Sequence, residues 1–177
     1  MDIPVLETER LILRAFKADD IDAYAAMVAD TDVSKFISLG GKPMGRLEAW
    51  RSMAMQLGHW QLRGFGQWAV EEKSTGLFAG RLGLYYPETW PAREIGYALA
   101  RDHWGKGYAS EGAAAARDFA FETLGWDDII SIISPANTRS HAVAKRLGET
   151  FREEFSFQGM ALHIYGLTRA EWEILDR

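Results

Sequence analysis

The segment HWGKGYASEG, residues 103–112, has one glycine on each side of Lys106 and runs directly into a stretch with the composition of a helix. The unpaired N–H groups at a helix N-terminus and the positive end of the helix dipole both attract anions. The segment therefore predicts a binding site for an anionic ligand. The alternative is a tight turn in which the glycines serve only the backbone conformation.

The two common nucleotide-binding loops do not fit this segment. A dinucleotide fingerprint needs glycine or alanine at the position of Ser110, and a phosphate loop needs serine or threonine where Gly107 stands. A shorter device remains, in which the backbone amides of 103–109 form a concave nest that can hold a diphosphate, with the charge of Lys106 nearby.

The stretch REIGYALA, residues 93–100, precedes this turn and has the pattern of a strand. Strand alternation separates its side chains into two sets, with Glu94, Gly96 and Ala98 on one face and Ile95, Tyr97 and Leu99 on the other. Glycine weakens a strand unless another group approaches the backbone or a bulge opens the ladder there, so a ligand lying along the strand would explain Gly96.

Glu94 is the lone carboxylate on the small face of this strand, which makes it the candidate general base. The alternative is a surface glutamate paired with Arg93 or Arg117. Asn137, the only asparagine of the chain, stands between an apolar run and a short helix, where it is either an N-cap or a ligand contact. Ser140 lies near the same helix end and would face the same ligand.

Hydrophobic periodicity places these segments in a mixed α/β (α+β) chain that is antiparallel early and β-α-β in the middle. That order excludes a TIM barrel and a regular doubly wound sheet. We find no repeat and no linker, so residues 1–177 are expected to form a single domain. The expected strands are 8–16, 68–73, 77–86, 93–100, 127–134, 151–157 and 160–168, and the expected helices are 18–30, 46–62, 108–124, 137–148 and 169–175.

The composition narrows the class of protein. A net charge of −5 and a pI near 5.4 argue against a protein that coats nucleic-acid phosphates. The chain has no cysteine, which excludes disulfides and thiolate metal sites and fits a reducing cytoplasm. No apolar stretch is long enough for a signal peptide or a membrane span. We expect a cytoplasmic protein without a metal, a nucleic-acid partner or a membrane partner.

Three stretches together resemble the GCN5-related N-acetyltransferase (GNAT) superfamily, and most closely its branch of ribosomal-protein N-terminal acetyltransferases. They are LETERLILRAFKADD, EIGYALARDHWGKGYASEG and NTRSHAVAKRLGETFREE, which extend over nearly the whole chain. The resemblance implies a mostly antiparallel central sheet of about seven strands flanked by helices, with a splayed parallel pair at the cofactor site.

The resemblance also implies what each candidate residue does. The anion would be the diphosphate of acetyl-coenzyme A, the pantetheine arm would lie along the 94–98 strand, Asn137 would bind that arm, and Ser140 would lie near the sulfur. The implied cofactor-binding residues are Ile95, Gly96, Tyr97, Ala98, Trp104, Gly105, Lys106, Gly107, Tyr108, Ala109, Asn137 and Ser140.

Two positions depart from the family pattern. Asp102 stands where the family often has Gln or Arg, and Ala144 stands where many members carry a tyrosine general acid. Ser140 is therefore the better candidate to protonate the thiolate, and Glu94 and Ser140 are the two expected catalytic residues. The departures also leave open a non-catalytic module that binds acyl-coenzyme A as a sensor.

The expected acceptor is a primary amine, either a protein N-terminal α-amine or a small molecule. An α-amine of pKa ~8 is neutral far more often at pH 7 than a lysine of pKa ~10.4. Dimerisation is common in the family, so a homodimer is compatible with the resemblance. The aromatic residues that could line an acceptor pocket are Trp50, Trp60, Trp68, Trp90, Tyr85 and Tyr86.

Overall fold

The computed structural model describes residues 2–175, which fold around one eight-stranded mixed sheet. The strands are β1 (Leu6–Glu7), β2 (Leu11–Arg14), β3 (Gln67–Glu72), β4 (Leu77–Tyr85), β5 (Glu94–Leu99), β6 (Asp128–Ile133), β7 (Thr150–Phe157) and β8 (Met160–Thr168). The helices are α1 (Ile21–Ala29), α2 (Thr31–Ile37), α3 (Arg46–Arg63), α4 (Tyr108–Asp118), α5 (Thr138–Arg146) and α6 (Arg169–Leu175).

The sheet has the strand order β1-β2-β3-β4-β5-β6-β8-β7, and β5 and β6 are its single parallel pair. Antiparallel ladders extend along β3, β4 and β5 and along β6, β8 and β7. The ladder between β5 and β6 consists of one pair, Glu94 opposite Ile130. Beyond this pair the two strands separate, which opens the sheet at its centre.

Two hydrophobic cores cover the two faces of the sheet. Helices α1, α2 and α3 pack on the face that carries Ala69 and Ala98. Helix α4, with α5 and α6 beside it, packs on the face that carries Leu82 and Ile95. Gly112 allows α4 to approach the sheet closely, because a Cβ at this position would collide with the side chain of Leu82. The cores thereby fix the N-terminus of α4 against the opening between β5 and β6.

The predicted elements are found, with five differences. Of the expected strand 8–16, only Leu11–Arg14 is a strand, since residues 8–10 form a turn in which the Thr8 hydroxyl accepts from the Leu11 N–H (3.0 Å), and β1 lies before that turn. Helix 18–30 begins with a 3-10 turn, and helix 108–124 ends in a π turn over Phe119–Thr123. Helix α2 was not predicted. The sheet has eight strands rather than about seven, since β1 adds a strand of two residues.

Within residues 2–175 we find no helix whose length and apolar character would let it cross a membrane.

Candidate active site

The predicted site residues line two adjoining cavities at the opening between β5 and β6. The first, which we call the loop half, has a volume of about 850 Å³ and lies between α2, the 103–109 loop and α5. The second, the sheet half, has a volume of about 740 Å³ and lies over the face covered by α3. Tyr97, Asn137 and Ser140 line both halves, as do residues 35–37 of α2, and these residues mark the junction.

The structure divides the predicted residues between these halves. Glu94, Ile95 and Gly96 line the sheet half. The remaining predicted cofactor residues line the loop half, namely Tyr97, Ala98, Trp104, Gly105, Lys106, Gly107, Tyr108, Ala109, Asn137 and Ser140.

The glycine loop has the backbone conformation that its sequence requires. Gly105 (φ 75°) and Gly107 (φ 85°) are both left-handed, and Gly107 directly precedes α4 as its N-cap residue. Arg10 of the 8–10 turn holds the loop in place, since its Nη1 donates to the Lys106 carbonyl (2.8 Å) while its Nη2 pairs with Glu111 (2.6 Å). The first residues of α4, Tyr108, Ala109 and Ser110, line the loop half, where the N–H groups of a helix N-terminus can bind an anion.

The cations of the loop half differ from the prediction. Lys106 has a partner, because its Nζ lies 3.5 Å from the Glu72 carboxylate. Arg139 and Arg146 of α5 also line the loop half, and neither makes an ion pair with any residue in the range 2–175. The sequence analysis missed both arginines; their spacing of seven residues on a helix, which puts them on one face, was the available signal.

Asn137 caps α5, since its Oδ1 accepts from the Ser140 N–H (3.3 Å). No residue of the described chain accepts from its amide nitrogen, so capping leaves that nitrogen able to donate to a ligand. Beside it, the Tyr97 hydroxyl donates to the Ser140 carbonyl (3.2 Å), and burial raises the pKa of Tyr97 well above its usual value. The junction thus holds two protonated hydroxyl groups, those of Ser140 and Tyr97.

Glu94 is a buried carboxyl group, 9% exposed. Its Oε2 accepts from the Trp90 indole N–H (2.7 Å) and its Oε1 from the Ile132 N–H (3.4 Å). Burial raises the pKa of Glu94 to about 7, although the two hydrogen bonds lower it in part. A carboxyl group with this pKa is suited to accept a proton near neutral pH.

The alternative of a surface glutamate paired with a neighbouring arginine is wrong. Arg93 lies over the Trp126 ring, with its guanidinium carbon 4.8 Å from the ring centre. Arg117 pairs with Asp118 instead.

Gly96 has a different explanation from the expected ligand. A Cβ at this position would lie 2.7 Å from the Gln67 side-chain nitrogen, so the glycine makes room for a buried amide of β3. The Oε1 of Gln67 in turn accepts from Arg81. A line of polar groups therefore crosses the small face of the sheet, formed by Glu94, Gln67 and Arg81.

Beyond the last pair of β5 and β6, backbone donors of β5 have no partner on β6. Backbone groups of alternate residues point to the same side of a strand. Those of Arg93 and Ile95 point toward β6, where they accept from the Ile130 N–H (2.9 Å) and the Ser131 hydroxyl (3.2 Å). The N–H of Tyr97 points to the same side after the β6 ladder has ended. An N–H group in this position can donate to a negatively charged oxygen in the cleft, as in an oxyanion hole.

Glu149 is a second buried carboxyl group, 3% exposed, which the sequence analysis missed. Its Oε1 lies 3.0 Å from the Ser131 hydroxyl, whose single hydrogen can be donated either to this oxygen or to the Ile95 carbonyl, and its Oε2 has no partner in the described chain. Burial, with a contribution from nearby Glu94, raises its pKa to about 8. The local sequence LGETF does not indicate that Glu149 is buried, because its burial depends on strands that are far away in the sequence.

The aromatic residues separate into three groups. Trp90 and Tyr85 line the sheet half, as expected of acceptor-pocket residues. Trp60 and Trp68 are wrong as candidates, since both are buried in the core beneath α4. Trp50 lies 56% exposed on α3, and Tyr86 packs under Arg63; neither lines a cavity described above.

Comparison with known proteins identifies the class to which this fold and cleft belong. Residues 10–150 match the acetyltransferase (GNAT) domain family. The chain belongs to this family, as its motifs predicted.

Several proteins similar to this chain are named as acetyltransferases. An uncharacterised N-acetyltransferase of Bacillus licheniformis, p20, is 32% identical over 137 residues, which are 76% of each chain. The crystal structure of an acetyltransferase from Agrobacterium tumefaciens str. C58 is 34% identical, with a TM-score of 0.85 over 96% of each chain. The structure of RimL, a ribosomal L7/L12 α-N-protein acetyltransferase, in complex with coenzyme A, shares the fold. It has a TM-score of 0.78 and 18% identity over 93% of this chain and 98% of that one.

Proposed function

We propose that this protein transfers an acetyl group from acetyl-coenzyme A to a primary amine, with both substrates bound at once. The observation that carries the proposal is the continuity of the cleft. An anion-binding loop in one half and a buried carboxyl group of raised pKa in the other meet at Tyr97, Asn137 and Ser140. Acyl transfer to an amine needs this combination of groups.

The residues of the loop half fit coenzyme A on chemical grounds. The amides after Gly107 and the arginines Arg139 and Arg146 suit its phosphates, while the Asn137 amide nitrogen suits a carbonyl of its pantetheine arm. Bound there, acetyl-coenzyme A supplies the acetyl group as a thioester.

The residues of the junction and the sheet half supply the remaining chemistry. Glu94 takes the proton of the attacking amine, directly or through water, as the new C–N bond forms and the C–S bond breaks. The N–H of Tyr97 donates to the carbonyl oxygen while that oxygen is negatively charged. The Ser140 hydroxyl donates a proton toward the departing sulfur, a modest contribution because a thiol of pKa ~8.5 leaves readily as thiolate.

The acceptor screen is the direct test of this function. Thiol release from acetyl-coenzyme A is measured with peptides bearing free N-termini, amino acids, polyamines and aminoglycosides. Saturable release with at least one amine is expected, together with stabilisation of the fold by about 2.7 kcal/mol at a hundred times Kd. Binding without release for every amine would support the sensor, which the buried Ala144 in place of a tyrosine acid favours. Absence of binding would overturn both.

A further inference from the structure

Resting on the proposed function, we infer that the acceptor carries a carboxylate beside its amine: the sheet half is built to take an apolar α-amino acid, whose carboxylate binds Arg81 and the neighbouring amide of Gln67. This goes beyond amine acetylation, because it names the second group by which the acceptor is recognised.

Buried polar groups of the sheet half lack partners. The side chain of Gln56 on α3 is 1% exposed, yet its Oε1 has no hydrogen-bond partner within residues 2–175. The Nε of Arg81 is likewise buried without a partner. Both residues line the sheet half. An unsatisfied buried polar atom costs about 1–3 kcal/mol, so two that border one cavity indicate a polar ligand.

The charges of the sheet half favour an anion on that ligand. Arg81 and Lys35 are its two cationic lining residues, and Glu94 is its lone acidic one. Arg81 forms no ion pair with a residue of the described chain, and burial, which raises the pKa of Glu94 to about 7, reduces the negative charge of Glu94 near neutral pH. A polyamine would bring positive charge to this cationic cavity, whereas a carboxylate provides the partner that Arg81 lacks.

The spacing of the polar groups indicates a short molecule. On neighbouring strands, Arg81 of β4 is paired with Ala98 of β5. The Arg81 guanidinium extends along the sheet to donate to the Gln67 side chain. The amide nitrogen of Gln67 in turn lies beside Gly96. The Glu94 Oε1 is 3.9 Å from the point that a Gly96 Cβ would occupy, and the Gln67 nitrogen is 2.7 Å from it. A proton acceptor and two donors are thus neighbours, which matches an amine and a carboxylate on one carbon.

The rest of the sheet half is apolar. Rings and thioethers form the wall around the polar line, and they suit an apolar side chain on the acceptor. These wall residues are Met44, Tyr85, Trp90, Phe157 and Met160.

The test uses the whole protein saturated with coenzyme A and measures binding rather than turnover. Calorimetry compares the probe N-acetyl-L-phenylalanine with N-acetyl-L-phenylalaninamide, which differ only in the carboxylate. We expect the acid to bind ten- to a hundredfold more tightly, as for a hydrogen-bonded charge, and Arg81→Met to reduce this ratio below threefold. Arg81→Lys should keep an intermediate ratio. Arg51→Met, which removes an exposed charge of α3 outside the cleft, should leave the ratio unchanged.

A turnover arm separates failure of this inference from failure of the proposed function. L-Phenylalanine should exceed L-phenylalaninamide in kcat/KM by at least tenfold, and Arg81→Met should abolish that preference through KM. Equal binding of acid and amide by the wild type, or an unchanged ratio in a folded Arg81→Met protein, would overturn the inference while acetylation of other amines still stands. Loss of coenzyme A binding in the wild type would instead overturn the proposed function.

Discussion

The side chain of Glu94 on β5 accepts a hydrogen bond from the Ile132 N–H of β6 (3.4 Å), two residues beyond the last strand pair. A carboxyl oxygen thus replaces a backbone carbonyl in the ladder at the point where the strands separate. The same carboxyl group has a raised pKa, because it is buried where the strands separate. One residue therefore couples the architecture of the cleft to its acid–base chemistry.

Replacing Glu94 with Gln should lower kcat/KM at pH 8 by about a hundredfold or more, because a positioned base contributes ~10²–10⁴. The pH dependence gives a sharper readout. Below pH 7 both Glu94 and the amine must lose a proton, so the logarithm of kcat/KM should rise with a slope near two in the wild type and near one in Glu94→Gln. Steady-state kinetics from pH 5.5 to 8.5 measures both slopes.

As the control, coenzyme A affinity and melting temperature should be the same in Glu94→Gln as in the wild type, since glutamine retains an oxygen that accepts from the Ile132 N–H. A slope that is the same in both proteins would remove Glu94 as the base.

Replacing Gly105 with Ala should weaken coenzyme A binding, because the left-handed backbone of the loop is strained by a side chain. Gly125→Ala is the matched control: both glycines have φ near 70° and open space where a Cβ would lie. Denaturant titration should show a similar loss of about 1–2 kcal/mol for each variant. Calorimetry should show weaker binding for Gly105→Ala alone, and equal affinities would exclude the loop from the cofactor site.

Replacing Arg139 or Arg146 with Ala should reduce coenzyme A affinity by about three- to tenfold each, since each removes a charge that makes no ion pair within residues 2–175 and can bind phosphate. The effect should shrink as salt rises from 0.05 to 0.5 M. Arg51→Ala removes an exposed charge elsewhere and should leave affinity unchanged. An equal loss in all three variants would indicate a general effect of net charge rather than a local contact.

Replacing Glu149 with Gln should change how stability depends on pH. Burial holds the pKa of Glu149 at about 8 in the folded protein, above its ordinary value of 4.5. Between those values the folded state binds a proton that the unfolded state has lost, so the free energy of unfolding falls as pH rises from 4.5 to 8. Glu149→Gln should remove on the order of 1–3 kcal/mol of that fall.

Urea unfolding at pH 5, 6.5 and 8 measures this change in stability. Glu153→Gln, an exposed carboxylate on β7, is the control and should retain the wild-type slope. Retention of that slope in Glu149→Gln as well would show that Glu149 is ionised in the folded protein.

Replacing Ser140 with Ala should lower kcat less than tenfold, because the leaving thiolate needs little protonation. Tyr97→Phe tests the other hydroxyl group of the junction, whose bond to the Ser140 carbonyl it removes. If the two hydroxyl groups substitute for one another, the double variant should lose more than the product of the single losses. A single loss above a hundredfold would make that residue an essential acid.

The elements that carry the site were predictable because their patterns are local. Alternation in residues 94–99 assigned Glu94 to the small face, and the two glycines marked the turn before α4. Helix α2 was missed because its seven residues are too few to show helical periodicity, although Asp30 caps it by accepting from the Asp32 N–H (2.8 Å).

The residues that were missed depend on packing between distant segments. Gln56 and Arg81 come from a helix and a strand that line one cavity, and Glu149 comes from a loop whose side chain reaches Ser131 of β6 only once the sheet has formed. Gly96 was read correctly as a site of close approach, but the approaching group is Gln67, 29 positions earlier in the chain. Sequence patterns report the periodicity of one segment and carry no information on such meetings.

The two halves of the cleft meet at a junction formed by shared residues yet have otherwise largely different linings. Both halves would be occupied at once by a single molecule in which the coenzyme A sulfur is joined through a CH2–C(=O) linker to the nitrogen of an amino acid. Its second half would bind at an effective concentration in the millimolar range, so its affinity should exceed that of either part by about 10²–10⁴. The shape of the cleft thus makes this protein a target for bisubstrate inhibitors, whose selectivity would come from the sheet half.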